Sequence, residues 1–120
     1  MIKNKSPTIQ KQASRRQQGV TNLVANFQSV KNKIPTLSTT ITVDNPDIIY
    51  GTETWLHEQI HGSELLLGGF TIYRNDRSGD NSSKEGGGGV LLAIRNSLTS
   101  KLVLKSPSTE SIFCRINNKN

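Results

Sequence analysis

The chain reads as an α/β protein with a layered sheet-and-helix architecture, and three observations carry that reading. Short β-branched and apolar runs recur at 20–26, 47–51, 70–74, 90–94, 102–104 and 111–116, a six-strand pattern. Between the first two runs, Val30, Ile34, Leu37 and Ile41 fall at steps of four, three and four, which is one face of a helix. Finally, one good helix cannot cover both faces of such a sheet, so an apolar face is left in need of a partner and the chain is expected to be part of a larger domain.

Each element has its own local grounds. The run Val20-Thr-Asn-Leu-Val-Ala-Asn26 is β-branched, short and followed by polar residues, as a buried strand is. In 29–41 three threonines and Pro35 weaken the helical pattern, and a proline tolerated only in a first turn moves the expected start to Pro35. Asn45-Pro46 signals the turn into the second strand. Residues 52–69 read as loop and short helix ending at Gly68-Gly69, followed by the alternating strand Phe70-Thr-Ile-Tyr-Arg74. Residues 75–89 form a long polar loop, and the last three strands are expected as an antiparallel run with turns at 95–100 and 105–110.

Composition bounds the function classes. Leu, Ile, Val and Phe supply 31 of 120 residues, enough for a thin core in one domain. No apolar run is long enough for a membrane helix, no hydrophobic leader segment is present, and the single Cys114 weakly suits a reducing compartment. The net charge of +6 is concentrated at the front. Lys3, Lys5, Lys11, Arg15, Arg16, Lys31 and Lys33 precede the first acidic residue, Asp44, and the remainder is nearly neutral. Residues 1–19 are expected as a disordered basic tail, solvated and able to attract a polyanion by counterion release. The domain proper is expected over 20–120.

Three constellations bear on chemistry. His57-Glu58-Gln59-Ile60-His61 matches a helical zinc-peptidase pattern, in which two imidazoles one turn apart hold Zn²⁺ and the Glu activates water. Gly62 follows at once and no apolar helix surrounds the pair, so two exposed loop histidines are the preferred reading. Gly86 to Gly89 open a strand and lack the Gly-Lys-Ser/Thr of a phosphate loop; they are read as a place where two backbones approach closely, the phosphate cradle being the lesser alternative. Asn26 ends the first strand, and Glu53 follows the second in Gly51-Thr-Glu-Thr-Trp-Leu56. Residues just past strand ends converge on a common rim in stacked α/β sheets, and a carboxylate there suits Mg²⁺. Trp55 is read as a packing residue of that rim.

At these residues the sequence resembles the endonuclease/exonuclease/phosphatase family, in particular the apurinic-type endonuclease domain at the front of non-LTR retrotransposon polyproteins. The likeness runs in order through Asn26-Phe-Gln-Ser-Val-Lys-Asn-Lys33, Pro46-Asp-Ile-Ile-Tyr-Gly-Thr-Glu-Thr-Trp-Leu56, Phe70-Thr-Ile-Tyr-Arg-Asn-Asp-Arg77 and Gly86-Gly-Gly-Gly-Val-Leu-Leu-Ala-Ile94. It implies a four-layer α/β sandwich, of which this chain holds the N-terminal half, and Mg²⁺-dependent nicking of DNA. The family's metal-binding Glu falls on Glu53 and its phosphate-organising Asn on Asn26; Arg77 and the loop after it are placed near the DNA. The family's Tyr-Arg-Pro-Pro, Asp-x-Asn and Ser-Asp-His motifs do not occur in these residues. The resemblance therefore implies a fragment that binds Mg²⁺ poorly, lacks the general base and does not cleave DNA unaided. Its implied partners are DNA, the missing C-terminal half or a downstream reverse transcriptase domain, in an intracellular, nuclear setting and with no membrane. The alternatives are a non-catalytic nucleic-acid-binding remnant that uses the basic tail, separable by deleting residues 1–19, and third the zinc peptidase.

Overall fold

The computed structural model describes residues 10–17, 19–77 and 87–118. It is a mixed α/β structure, mostly strands in two sheets with one helix. Strands β1 (Gln10–Gln17), β2 (Val20–Asn26), β3 (Ile48–Thr52), β4 (Phe70–Asn75) and β5 (Val90–Arg95) form a five-stranded sheet in the order β1-β2-β3-β5-β4. Only β2 and β3 run parallel. Strands β6 (Leu98–Lys105) and β7 (Ile112–Asn118) make a separate antiparallel ribbon.

The helix α1 (Ile34–Asp44) starts where Pro35 fits its first turn and stops at Asn45, whose left-handed conformation returns an N–H to the Ile41 carbonyl. Leu37 is buried, and Ile34 and Ile41 pack on the same cluster, so the four-three-four spacing identified the buried face correctly. That cluster joins α1 to one face of the sheet: Leu23 and Ala25 of β2, Ile49 of β3, Leu91 and Ala93 of β5, together with Phe27 and Leu56. On the other face the ribbon lies over β4 and β5, where Tyr73 Oη and Ser100 Oγ are 2.8 Å apart and Ile94 is fully buried. Val24, Ile48 and Tyr50 on that same face are only half-buried. No helix among the described residues is long and apolar enough to cross a membrane.

Two expectations are corrected. Residues 10–17, expected within a disordered tail, form β1, which pairs antiparallel with β2 from Gln10 opposite Asn26 to Gln17 opposite Val20. Composition hid this strand, because an edge strand can be polar and charged throughout and rest on its backbone ladder. The tail expected over 1–9 lies outside the described residues. Nor do the last three strands run together. In the sheet β5 is flanked by β3 on one edge and β4 on the other, so no edge is left for β6, and after the turn at Asn96 and Ser97 the chain crosses onto the face. Most of the polar loop expected over 75–89 also lies outside the described residues; Asn75 itself ends β4.

Candidate functional site

Asn26 and Thr52 are partners at the ends of the two parallel strands, which sets Asn26 and Glu53 side by side in the chain's layout at one rim of the sheet. Pairing continues past both ends. Phe27 N–H donates to Thr52 O at 2.9 Å, Ser29 N–H to Glu53 O at 3.0 Å and Val30 N–H to Thr54 O at 3.0 Å. On the other side Thr54 N–H donates to Gly89 O at 3.3 Å and Trp55 N–H to Gly88 O at 2.8 Å. The segment 53–55 is thus held between two neighbours.

Holding it there has a conformational cost. Gln28, Ser29, Glu53 and Trp55 all have positive φ, at 48°, 83°, 51° and 57°. Such non-glycine conformations persist only where surrounding structure over-determines them, and they concentrate at functional rims. The Lys33 ammonium helps by donating to the Phe27 and Gln28 carbonyls. Gly87, Gly88 and Gly89 also have positive φ, and a Cβ at Gly89 would lie 2.5 Å from Thr54 Oγ1. The glycines therefore do permit the close backbone approach expected of them.

Glu53 is half-buried and its Oε1 accepts the Trp55 indole N–H at 3.1 Å. Trp55 is 44% exposed, so it is not the packing residue the sequence suggested; left-handed backbone at both residues turns the indole toward the carboxylate. The Glu-x-Trp spacing was the available signal. Asn26 Oδ1 is buried with no hydrogen-bond partner, as is Asn22 Oδ1 on the same strand. A buried oxygen without a donor has an open acceptor function, which a hard cation or a donating ligand would fill. Among the described residues no three His, Cys, Asp or Glu side chains group as metal ligands. One carboxylate with an amide oxygen fits Mg²⁺, which takes few protein ligands and completes its shell with water and phosphate oxygens.

The histidine motif loses its helical premise. Residues 57–61 are turn and coil, both imidazoles are exposed, and the Arg74 guanidinium donates to the His57 carbonyl at 2.8 Å and to the Ile60 carbonyl. His61 opens the short 3₁₀ turn Gly62–Leu65, where its N–H donates to Glu64 Oε2 at 2.9 Å. That bond first, then the Lys31 ammonium 3.2 Å away, holds the Glu64 carboxyl below its usual range. The contribution of Glu64 to this turn is present above the ordinary carboxylate pKa and is lost as pH falls through the lowered value. In a proton–nitrogen NMR titration the His61 amide is expected to shift with a midpoint below that of an unperturbed Glu; a midpoint at or above it refutes the capping contact.

Cys114 is a free thiol whose pKa burial pushes up, which makes it a poor nucleophile at neutral pH. No family model matches the chain, and no curated protein or solved structure matches it either.

Proposed function

We propose that the rim carrying Asn26 and Glu53 is the metal- and phosphate-binding side of a phosphodiester-hydrolysing domain of the endonuclease/exonuclease/phosphatase type, acting on DNA. The observation that carries this reading is the arrangement at the ends of β2 and β3. An amide that ends one parallel strand and a carboxylate that directly follows its neighbour are set there, inside a run of strained, hydrogen-bonded backbone. The helix on one face of the sheet and the ribbon on the other support the finer reading, the first half of a four-layer sandwich.

In this reading Glu53 and the open Asn26 oxygen would hold Mg²⁺, which would supply charge stabilisation for a bound phosphate. Trp55 orients the carboxylate. Among the described residues no three His, Cys, Asp or Glu side chains form a metal-ligating group, and the water-activating motifs of the resembled family do not occur in the 120 residues. Weak Mg²⁺ binding without DNA cleavage is therefore the expected behaviour of this chain.

Paramagnetic Mn²⁺ in place of Mg²⁺ tests the site without relying on activity. Substoichiometric Mn²⁺ is expected to broaden the Trp55 indole N–H, the Asn26 side-chain amide and the backbone amides around Glu53, and Glu53→Gln is expected to abolish this. Broadening centred on other carboxylates and unchanged in Glu53→Gln overturns the assignment. Mg²⁺-dependent plasmid nicking that disappears in Glu53→Ala overturns the expected lack of cleavage.

The binding-remnant reading changes form with β1. Lys11, Arg15 and Arg16 sit on an edge strand, so deleting residues 1–19 strips the sheet as well as the charge. Replacing the three by Gln isolates the charge, and loss of salt-dependent DNA affinity in that variant favours the remnant.

A further inference from the structure

We infer that Arg77 and the Gly88–Gly89 backbone form an anion seat beside the Glu53 rim, and that the chain's own Glu110 occupies it as a stand-in for phosphate. Two kinds of group meet there. The Arg77 Nε donates to Glu110 Oε2 at 3.1 Å, and the Gly89 N–H donates to Glu110 Oε1, so one carboxylate spans a guanidinium and a backbone N–H. Two converging donors, one of them charged, suit a phosphate oxygen pair as well as a carboxylate. Three successive glycines of positive φ shape the floor, and the Gly89 N–H among them faces the carboxylate.

Gly88 shows how closely the seat is built. A Cβ there would lie 2.4 Å from the Arg77 guanidinium and 2.4 Å from Glu110 Oε1, so the charged pair rests directly on bare backbone. Arg77 and Glu110 side chains are only 21% and 20% exposed. The seat adjoins the rim through Trp55, whose indole nitrogen is 3.8 Å from the Cβ position of Gly87 and 3.1 Å from Glu53 Oε1.

Glu110 comes from far along the chain, on the loop between β6 and β7. Asn75 Nδ2 fixes that loop by lying 2.9 Å from each of the Ser106, Thr109 and Ser111 carbonyls. The loop thus delivers a negative charge to donors that a phosphate would use, and an incoming phosphate must displace it. That the natural anion is a DNA backbone phosphate rests on the proposed function; that the seat takes an anion of this geometry does not.

The test uses the full chain with inorganic pyrophosphate and, separately, a short DNA duplex. Glu110→Ala is expected to gain a pyrophosphate-dependent rise in melting temperature that the wild type lacks. It is also expected to bind the duplex several-fold more tightly, with a log-affinity against log-salt slope steeper by about 1. Both gains vanish in Glu110→Ala with Arg77→Ala, and the charge-matched control Glu58→Gln shows neither. Should Glu110→Ala not fold, Glu110→Gln, which keeps an acceptor for the Gly89 N–H, serves in its place. A folded variant with no pyrophosphate gain, or with gains that survive Arg77→Ala, overturns the inference. A pyrophosphate gain without a duplex gain upholds the seat while counting against the nucleic-acid reading.

Discussion

Gly51→Ala is expected to lower the stability of the chain by about 3 kcal/mol, which a denaturant or thermal melt will read directly. The cause is local. A Cβ at Gly51 would lie 2.1 Å and 2.6 Å from two ring atoms of Phe27, which is fully buried against the same sheet face. That separation is far inside van der Waals contact, and neither partner is a flexible surface group. The ring must leave its position or the strand must, and β3 is bound to β2 and β5 on its two sides. Since Phe27 leads into the strained turn before Val30, the rim follows the ring. Phe27→Leu in the Gly51→Ala background is expected to recover part of the loss, so that the double variant is more stable than the two single effects summed. An unchanged melting midpoint in Gly51→Ala means that the ring does not lie over Gly51.

Asn75→Asp is expected to cost about 3 kcal/mol and to free the loop between β6 and β7. Asn75 is 4% exposed, and its amide nitrogen faces three carbonyl oxygens. An ionised carboxylate in that position meets three acceptors with no proton to offer, so the charged form is disfavoured and the carboxyl pKa rises. Stability linked to the protonated form is present at low pH and lost as pH rises through the raised value. The variant is therefore expected to be closer to wild type in mild acid than at neutral pH. Equal destabilisation at both overturns the clamp. Because this loop carries Glu110, the same substitution is also expected to expose the seat at Arg77.

The candidate site was legible in parts. Asn26 and Glu53 stood out because each follows an apolar β-branched run, and a polar residue past a strand end is positioned by that strand. Trp55 was misread, since a lone tryptophan beside apolar Leu56 looks like packing until the left-handed backbone at Glu53 and Trp55 is known. The histidine motif was legible as two exposed loop histidines, since Gly62 follows at once and no apolar helix surrounds the pair. Its spacing describes a helix, but Arg74, fourteen residues beyond Ile60, takes the Ile60 carbonyl and holds a turn.

What the sequence by itself determined is local: the strand runs at Leu23, Ile49 and Leu91, the face of α1 at Ile34, Leu37 and Ile41, its start at Pro35, and the polar positions that end β2 and follow β3. These follow from periods of 2 and 3.6 residues and from the fixed φ of proline, none of which needs a distant partner. Tertiary structure alone decided which strands share a sheet, that a polar segment at 10–17 pairs as an edge, that Phe27 covers Gly51, and that Glu110 reaches Arg77. Each of these depends on a contact between residues separated by turns and whole strands, where edge availability and side-chain volume choose the partner and sequence spacing carries no record of the choice.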